Sequence, residues 1–548
     1  MRTMVSAGQA RPLQGLRRGT LRAAASGLAG LLLLGALVPA SAQPRGRART
    51  AAEPRAWAEA PEAKDGKEEG PKKEPEIPKE ISSTTSHAVE IAGRPVRYTA
   101  TAGNYLLKAE DGTPKASLFF IAYVKEGEAD PARRPLLFSF NGGPGSSSVW
   151  LHLGLFGPRR VAMTPEGWAP RPPYRLVDNP HSLLDAADLV FIDPVTTGYS
   201  RAVPGEDASQ FHGVRQDIEA VGELIRLWVT RNRRWASPKV LAGESYGTTR
   251  AAGLVAHLQE RHGMYFNGVV LVSSILNFGT ARFDPGNDLP YLLFLPTYTA
   301  TAWYHRRLAE DLQARSLLEV LDEVREFARG PYTLALMQGD RLAAGERRQV
   351  AERLARYTGL SPEYVERTDL RIEISRFVKE LLRDERRTVG RLDSRFTGID
   401  RDAAGEGFDF DPSMAAIRGP FSTLLNDYVR RELGYESELP YEILTGRVRP
   451  WSFEDFENRY VDVAEPLRAA MTQNPYLRVF VANGYYDLAT PFFATEYTFD
   501  HLGLDPSLAG NVEMAYYEAG HMMYIHLPSL EKQRQDLLRF LAKAIPAD

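Results

Sequence analysis

The 548-residue sequence contains no cysteine. This absence excludes a disulfide framework, a cysteine nucleophile and thiolate-bound metal sites. The chain also has little net charge, because 67 Lys and Arg residues are offset by 70 Asp and Glu residues. A balance this close to neutrality gives no reason to expect a nucleic acid as partner. No H-E-x-x-H segment occurs either. We therefore predict an activity that uses neither a metal ion nor another cofactor.

Long apolar runs are also absent, apart from one near the N-terminus. Several arginines precede the apolar residues 28–38, and Ala40-Ser41-Ala42 follows them. A basic stretch, a short apolar core and small residues in this order are typical of a secretory signal peptide. The run is well short of the roughly 20 residues that a spanning helix needs, so cleavage is favoured over a membrane anchor. We expect export to the periplasm or the medium, a mature chain beginning at Gln43, and no stable membrane span after cleavage.

The composition changes along the chain predict five segments. Residues 43–82 are rich in Pro, Lys, Glu and Ala and carry almost no bulky apolar side chains, which is typical of a disordered linker. Residues 290–465 are mostly charged helical pattern, in contrast to their flanks. We predict a signal peptide at 1–42, a linker at 43–82, the first part of an α/β core at 83–289, a helical insertion or cap at 290–465, and the second part of the core at 466–548.

Two kinds of strand are expected in the core. Alternating β-branched and aromatic residues in 89–103 and 116–126 predict antiparallel strands. Short, continuous apolar runs predict buried parallel strands. These runs lie at 135–140, 187–193, 239–244, 268–274, 478–483 and 512–518. Helical patterns between them, such as 209–232, predict an α/β fold with a mostly parallel sheet and helices on both faces. A separate helical domain is the alternative for 290–465, but an insertion is favoured because sheet-like strands resume after it.

Gly243-Glu244-Ser245-Tyr246-Gly247 fits the G-x-S-x-G pattern. It follows an apolar strand and precedes a helical stretch, which is the context that a nucleophile elbow requires. A sharp strand-to-helix turn exposes the serine hydroxyl, and this hydroxyl needs a general base to become nucleophilic. Ser245 is therefore the predicted nucleophile.

Candidate partners for Ser245 lie near the C-terminus. His521 comes just after an apolar strand, where a loop emerges at the active-site edge of the sheet. Asp487 follows another strand and a Gly-containing turn, and its carboxylate could orient an imidazole. A turn-forming role for Asp487 is the alternative. The chain order Ser, Asp, His is that of α/β hydrolases and favours the catalytic interpretation.

A glycine-rich segment, 141–148, directly follows the strand at 135–140. Glycines allow backbone N–H groups to approach a ligand closely. Such groups could form half of an oxyanion hole, with the amide of Tyr246 as the other half. A phosphate cradle is disfavoured because the segment lacks both the Walker lysine and the G-x-G-x-x-G spacing.

Five motifs in this order resemble the serine carboxypeptidase family (peptidase S10), in its bacterial type: NGGPGSSS, NPHSLLDAADLVFIDPVTTGYS, GESYGTTR, NGYYD and AGHMMY. The resemblance implies an α/β-hydrolase fold with a helical insertion, and peptide substrates from which single C-terminal residues are removed. It also implies roles for eight residues. Ser245, Asp487 and His521 would be catalytic, the amides of Gly143 and Tyr246 would form the oxyanion hole, and Asn141, the amide of Gly142, and Glu244 would bind the substrate carboxylate.

One departure from the family pattern affects carboxylate recognition. Many members have a glutamate that partners the residue equivalent to Glu244, and Leu155 stands at that position here. Two alternatives to an exported carboxypeptidase stay open on the sequence. One is an acyltransferase or esterase on the same fold, since an acyl-enzyme permits either outcome. The other is a catalytically inactive peptide-binding protein, against which the three intact catalytic residues argue.

Overall fold

The computed structural model describes residues 77–546. The predicted signal peptide, its cleavage site and most of the predicted linker lie outside these residues. Fourteen strands occur in the described part of the chain. They are β1 (Ser82–Ile91), β2 (Arg94–Lys108), β3 (Pro114–Lys125), β4 (Leu136–Phe140), β5 (Arg159–Val161), β6 (Leu176–Asp178), β7 (Asp188–Ile192), β8 (Arg201–Ala202), β9 (Lys239–Ser245), β10 (Gly268–Ser274), β11 (Thr388–Val389), β12 (Thr397–Gly398), β13 (Arg478–Gly484) and β14 (Val512–Tyr517).

Ten of these strands form one sheet in the order β1-β2-β3-β7-β4-β9-β10-β13-β14, with β8 paired to β3. The strands from β7 to β14 in this order are parallel to one another, whereas β1, β2, β3 and β8 pair antiparallel. The six predicted parallel strands are all present, with ends within one residue of the predicted ones. The fold class is therefore confirmed: it is an α/β fold with a mostly parallel sheet.

Fourteen α-helices accompany these strands within residues 77–546. They are α1 (Val149–Leu151), α2 (Val214–Arg231), α3 (Tyr246–His262), α4 (Leu289–Tyr304), α5 (Glu310–Gln313), α6 (Leu317–Phe327), α7 (Thr333–Gln338), α8 (Ala344–Thr358), α9 (Pro362–Arg367), α10 (Ile374–Glu380), α11 (Pro412–Arg431), α12 (Ala464–Gln473), α13 (Phe492–Asp500) and α14 (Leu527–Ala544).

Alternate residues of the central strands supply two apolar cores. On β10, Val270 and Val272 belong to the core that includes α11 and α14, whereas Val269 and Leu271 belong to the core that includes α2, α3 and α12. This alternation is the period-2 side-chain pattern of a strand covered on both faces. The sheet is therefore a buried layer, and the loops at the carboxyl ends of its strands are free to build a site.

Most helices between 289 and 431 pack around a third apolar core. Local signals set some of their ends: Ser316 and Glu319 form a capping box at the start of α6, and Gly359 ends α8 with a φ of 72°. The prediction of charged amphipathic helices does not fit α4, which is mostly apolar and buried along most of its length. Helix α11 packs with the sheet instead of the third core. The extent of the insertion therefore stays a proposal.

The folded part begins slightly before the predicted boundary at 83. Strand β1 begins at Ser82, and the N–H of Ile81 donates to Asn104 Oδ1 at 2.8 Å. Glu80 accepts from the N–H of Leu106 at 2.9 Å. These contacts tie the last predicted linker residues to β2. Within residues 77–546, no helix combines the length and the apolar character needed to cross a bilayer.

Candidate active site

Ser245 lies at the junction of β9 and α3 with a φ of 59° and a ψ of −130°. This backbone conformation is rare for a residue with a side chain, and surrounding structure must enforce it. The two motif glycines allow the turn to close. A Cβ on Gly243 would overlap the backbone of Gly247, and a Cβ on Gly247 would lie 2.8 Å from the carbonyl oxygen of Phe140. The strand-turn-helix geometry therefore depends on small residues on both sides of Ser245.

Asp487 and His521 are joined by a hydrogen bond of 2.8 Å between Oδ2 and Nδ1. Asp487 is fully buried, and further donors satisfy its oxygens. The N–H groups of Ala489 and Thr490 donate to Oδ1 at 2.8 and 3.0 Å, and the Thr490 hydroxyl donates to Oδ2 at 2.7 Å. A carboxylate held this way binds the Nδ1–H tautomer of histidine, which leaves Nε2 as a proton acceptor.

The environment of His521 favours its charged form. Burial acts to lower the pKa of this histidine, but the charge of Asp487 and its hydrogen bond act in the opposite direction and outweigh burial. The pKa of His521 is consequently raised above its ordinary value. This is the electrostatic arrangement expected of a base that must carry a proton during a reaction.

The loop that carries His521 is attached to the sheet and to the insertion. The Ser273 hydroxyl, at the end of β10, donates to the carbonyl of His521 at 2.7 Å. The N–H of His521 donates to the carbonyl of Leu392 at 2.7 Å, and the N–H of Gly520 donates to Asp393 at 3.0 Å. A side chain at Gly520 would overlap Leu392 and Asp393. The position of His521 therefore depends on residues 392–393, which sequence reasoning did not identify.

The glycine-rich segment packs directly against the start of α3. A Cβ on Gly142 would overlap the N–H of Tyr246, and Gly143 has a φ of 104°, which favours glycine. Arg250, on α3, holds this segment, because its Nη1 donates to the carbonyl of Asn141 at 2.6 Å and its Nε pairs with Asp217 at 2.7 Å. Arg250 is the last residue of the GESYGTTR motif. Its place in that motif is the sequence feature from which this role could have been predicted.

Glu244, one residue before the nucleophile, is buried, and the Tyr524 hydroxyl donates to its Oε2 at 2.5 Å. Burial raises the pKa of Glu244 to about 7, although the His521 charge and the Tyr524 hydrogen bond act to lower it. Asn141 is adjacent to it in the site. Its Oδ1 accepts from the N–H of Leu151 at 3.0 Å. Its Nδ2 is buried close to Glu244 and Tyr524 but makes no well-formed hydrogen bond among residues 77–546.

Tyr524 packs against the segment in which the sequence departs from the family pattern, where Leu155 stands in place of a glutamate. Its ring lies against Gly154, where any Cβ would overlap the ring. Leu155, the next residue, is buried in the π-helical turn His152–Phe156. The structure thus brings a tyrosine to Glu244 instead of a second glutamate. Tyr524 is the last residue of the AGHMMY motif, but nothing in the sequence indicated that it would reach Glu244.

A pocket of about 200 Å³ opens beside Ser245. Its wall combines residues of the core loops with residues of the insertion: Gly143, Ser245, Tyr246, Ile275, Phe278, Ala281, Arg282, Phe283, Phe294, Ile374, Arg391, Leu488, Ala489 and Thr490. Of the eight residues predicted from the sequence, Gly143, Ser245 and Tyr246 line this pocket. Within residues 77–546, no group of three or more His, Asp or Glu residues is placed to hold a metal ion.

Comparison with known proteins agrees with this geometry. A prohormone-processing carboxypeptidase from Saccharomyces cerevisiae superimposes with a TM-score of 0.50 and 16% identity, over 81% of this chain and 91% of that one. The parallel sheet, the serine elbow and this likeness define the fold as that of an α/β hydrolase with a helical insertion.

The sequence comparisons are more specific. Residues 95–283 match the family model described as serine carboxypeptidase. Two Arabidopsis thaliana proteins, serine carboxypeptidase-like 46 and serine carboxypeptidase-like 45, are each 29% identical, over 36% and 31% of this chain. Over these segments the chain is similar to the serine carboxypeptidase family. The aligned segments span 43% and 36% of those two relatives, less than half of their length.

Proposed function

We propose that the protein is an exported serine carboxypeptidase that releases C-terminal residues from peptides through an acyl-enzyme on Ser245. The observation that carries this proposal is the position of Glu244. It is a buried carboxyl group with a pKa of about 7, one residue before the nucleophile and close to the buried Nδ2 of Asn141. A carboxyl group that is protonated below that pH can donate a hydrogen bond to a substrate carboxylate, whereas an ionised one would repel it.

Each proposed step uses a group in the site. The Ser245 hydroxyl attacks the last peptide bond while His521 Nε2 takes its proton. The N–H groups of Gly143 and Tyr246 stabilise the oxyanion that forms. His521 then returns the proton to the leaving amine, which departs as the free C-terminal amino acid. Water attacks the acyl-enzyme by the same route, and Asp487 stabilises the imidazolium without itself taking the proton.

Recognition of the chain end is proposed to depend on Asn141, the N–H of Gly142, and Glu244. Asn141 Nδ2 and protonated Glu244 would each donate to the terminal carboxylate, and the Gly142 amide would add a third donor. A buried donor without a well-formed hydrogen bond, such as Asn141 Nδ2, gains free energy when a ligand oxygen accepts from it. Three such donors beside the nucleophile would favour a substrate with a free carboxyl end over an internal peptide bond.

The test compares a good peptide substrate as its free acid and as its C-terminal amide. We expect the amide to have a much higher KM, and mass spectrometry of products from a peptide library to show loss of single terminal residues. Equal cleavage of acid and amide, with internal cuts in long peptides, would identify an endopeptidase or esterase instead. Product mixtures that contain transferred acyl groups would favour an acyltransferase, and a fluorophosphonate probe that failed to label Ser245 would favour an inactive binding protein.

Export is proposed from the basic, apolar and small-residue pattern that ends at Ala42. Its test is N-terminal sequencing of the protein recovered outside the cytoplasm, for which we expect a chain that begins at Gln43. Exported protein that kept residues 1–42 would contradict cleavage at this site.

A further inference from the structure

Two arginines line the pocket beside Ser245 from different parts of the fold. Arg282 lies between β10 and α4, in the core, and Arg391 lies between β11 and β12, in the predicted insertion. Both share the same pocket wall with Ser245 and Thr490. The wall includes no Asp or Glu residue.

Neither guanidinium has an ion-pair partner within the part of the chain that the structure describes. Both side chains are exposed, and neither forms a hydrogen bond or an ion pair with another residue of 77–546. Arg282 lies over the Phe278 ring, with its Cζ 5.7 Å from the ring centroid. Asp411 lies close to the Arg391 main chain, but its oxygens accept from the N–H groups of Arg391 and Ser413 and from the Ser413 hydroxyl, and not from the Arg391 guanidinium. Two positive charges on a pocket wall that holds no carboxylate create a potential that attracts an anionic ligand.

The carboxyl groups beneath the pocket do not cancel these charges. Asp487 is paired with His521 at 2.8 Å. Glu244 is bound by Tyr524, and burial raises the pKa of Glu244 to about 7, so much of it is uncharged at neutral pH. The positive potential of Arg282 and Arg391 therefore remains available to a substrate group.

The backbone holds both arginines at fixed positions beside the site. The N–H of Arg391 donates to Asp411 at 3.1 Å, and its carbonyl accepts from the N–H of Leu488, next to Asp487, at 3.1 Å. The carbonyl of Arg282 accepts from Asn287 at 2.7 Å. Because the main chain is anchored on each side, a bound anion has to order only the two side chains, which reduces the entropic cost of binding.

We propose that Arg282 and Arg391 form a subsite for a side-chain carboxylate of the substrate, so that peptides with Asp or Glu beside the scissile bond are preferred. This inference rests on the proposed peptidase function and adds a substrate class to it. Apolar neighbours complete the subsite and suit the methylene groups of a glutamate side chain; they are Phe278, Phe283, Phe294, Ile374 and Leu488. The terminal carboxylate of the peptide is also an anion that the two arginines could bind. The experiment below distinguishes binding of the terminal carboxylate from binding of a side-chain carboxylate.

The test uses peptides that differ at one position, with Glu, Gln or Lys as either the last or the penultimate residue, each as free acid and as amide. We expect kcat/KM to be roughly five- to tenfold higher for Glu than for Gln at one or both positions, and lowest for Lys. Arg391→Gln and Arg282→Gln should each lower the Glu-to-Gln ratio. The ratio is taken within each variant, so that a change in turnover common to both peptides cancels. The ratio should also fall as salt is added, since the arginines are exposed.

Arg401→Gln is the matched control, because Arg401 is an exposed arginine of the same predicted insertion that does not line this pocket. It should keep the wild-type ratio. The preference can also be measured without turnover. Calorimetry with the Ser245→Ala protein gives the ratio of its affinities for the Glu and Gln peptides. The proposal is therefore testable even if the chain proves to cleave acids and amides equally.

Two results would overturn the proposal. One is a Glu-to-Gln ratio near one in the unmodified protein, or a ratio that both arginine substitutions leave unchanged. The other is an equal loss for all free acids in the arginine variants, with the amides unaffected. That second pattern would show that the arginines bind the terminal carboxylate and not a side chain.

Discussion

The Tyr524 hydroxyl donates a hydrogen bond of 2.5 Å to Glu244, although 280 residues separate the two in sequence. Both groups are buried, and the tyrosine ring occupies space that the absence of a side chain at Gly154 leaves open. A donor to a carboxylate stabilises its ionised form and so lowers its pKa. Burial acts on Glu244 in the opposite direction and is the larger effect. Tyr524 therefore limits how far the pKa of Glu244 rises.

Tyr524→Phe should shift the alkaline limit of peptide binding to higher pH. The phenylalanine keeps the ring against Gly154 but removes the donor, so the pKa of Glu244 should rise above its present value of about 7. We expect the pH at which KM begins to increase to move up by roughly half to one unit. The measurement is KM for a free-acid peptide between pH 5 and 9. Tyr517→Phe is the control, because Tyr517 makes the same kind of bond to Asp536 at 2.8 Å. A shift of equal size in both variants would contradict a specific role for Tyr524.

Glu244→Gln should make KM nearly independent of pH on the alkaline side. In the unmodified protein, Glu244 is protonated below a pH of about 7 and donates to the substrate carboxylate, and it becomes ionised and repulsive above that pH. KM for a free-acid peptide should therefore rise as the pH increases through this value. Glutamine keeps a donor at every pH, so the rise should flatten. The C-terminal amide of the same peptide should show little pH dependence in either protein. A rise in KM that persisted in Glu244→Gln would assign the effect to another group.

Substitutions of the three proposed catalytic residues should lower kcat and largely preserve binding. We expect Ser245→Ala and His521→Ala each to lose on the order of 10⁴-fold or more in kcat, because such residues act as a unit. Asp487→Asn should lose somewhat less, through the wrong histidine tautomer. The kcat of the unmodified protein should also fall on the acid side, since His521 must be neutral to act as base and its pKa is raised. Near-normal kcat in Asp487→Asn would mean that another group orients His521.

Activity should be unchanged in excess EDTA, because the proposed nucleophile is a side-chain hydroxyl and its base is a histidine. The measurement is kcat/KM before and after prolonged dialysis against the chelator. Loss of activity that zinc restored would contradict the serine mechanism.

The elements predictable from sequence were those set by local patterns. Each buried strand was a continuous apolar run, and the turn at Ser245 was defined by five neighbouring residues. Thr490 was missed, although its bond to Asp487 spans only three residues, because a threonine in a turn is common. The contact of Asp393 with Gly520 spans 127 residues, and that of Tyr524 with Glu244 spans 280. Such contacts depend on how the insertion and the C-terminal loop pack, which no local pattern specifies.

The last prediction concerns the stability of the sheet that supports the site. Asp188, at the start of β7, is buried and accepts bonds from Arg134 Nε at 2.6 Å, Arg234 Nη1 at 2.7 Å and the N–H of Lys125 at 3.0 Å. Both arginine side chains are also buried, at 7% and 5% exposure. Removing the charge of Asp188 would leave the two guanidinium groups without their shared counter-ion, and Glu128, at 3.6 Å from Arg134, compensates only one of them.

We therefore expect Asp188→Asn to lower the free energy of unfolding by about 3 kcal/mol, at the lower end of what is typical for breaking a buried ion pair. The measurement is urea unfolding at neutral pH, followed by tryptophan fluorescence. Glu352→Gln is the control, since Glu352 pairs with Arg348 at 2.9 Å on the surface with 54% of its side chain exposed. Such exposed pairs contribute about 0–1 kcal/mol. A loss below about 1 kcal/mol in Asp188→Asn would show that the arginines find other partners, and that this carboxylate is not what holds the beginning of β7 to its neighbours.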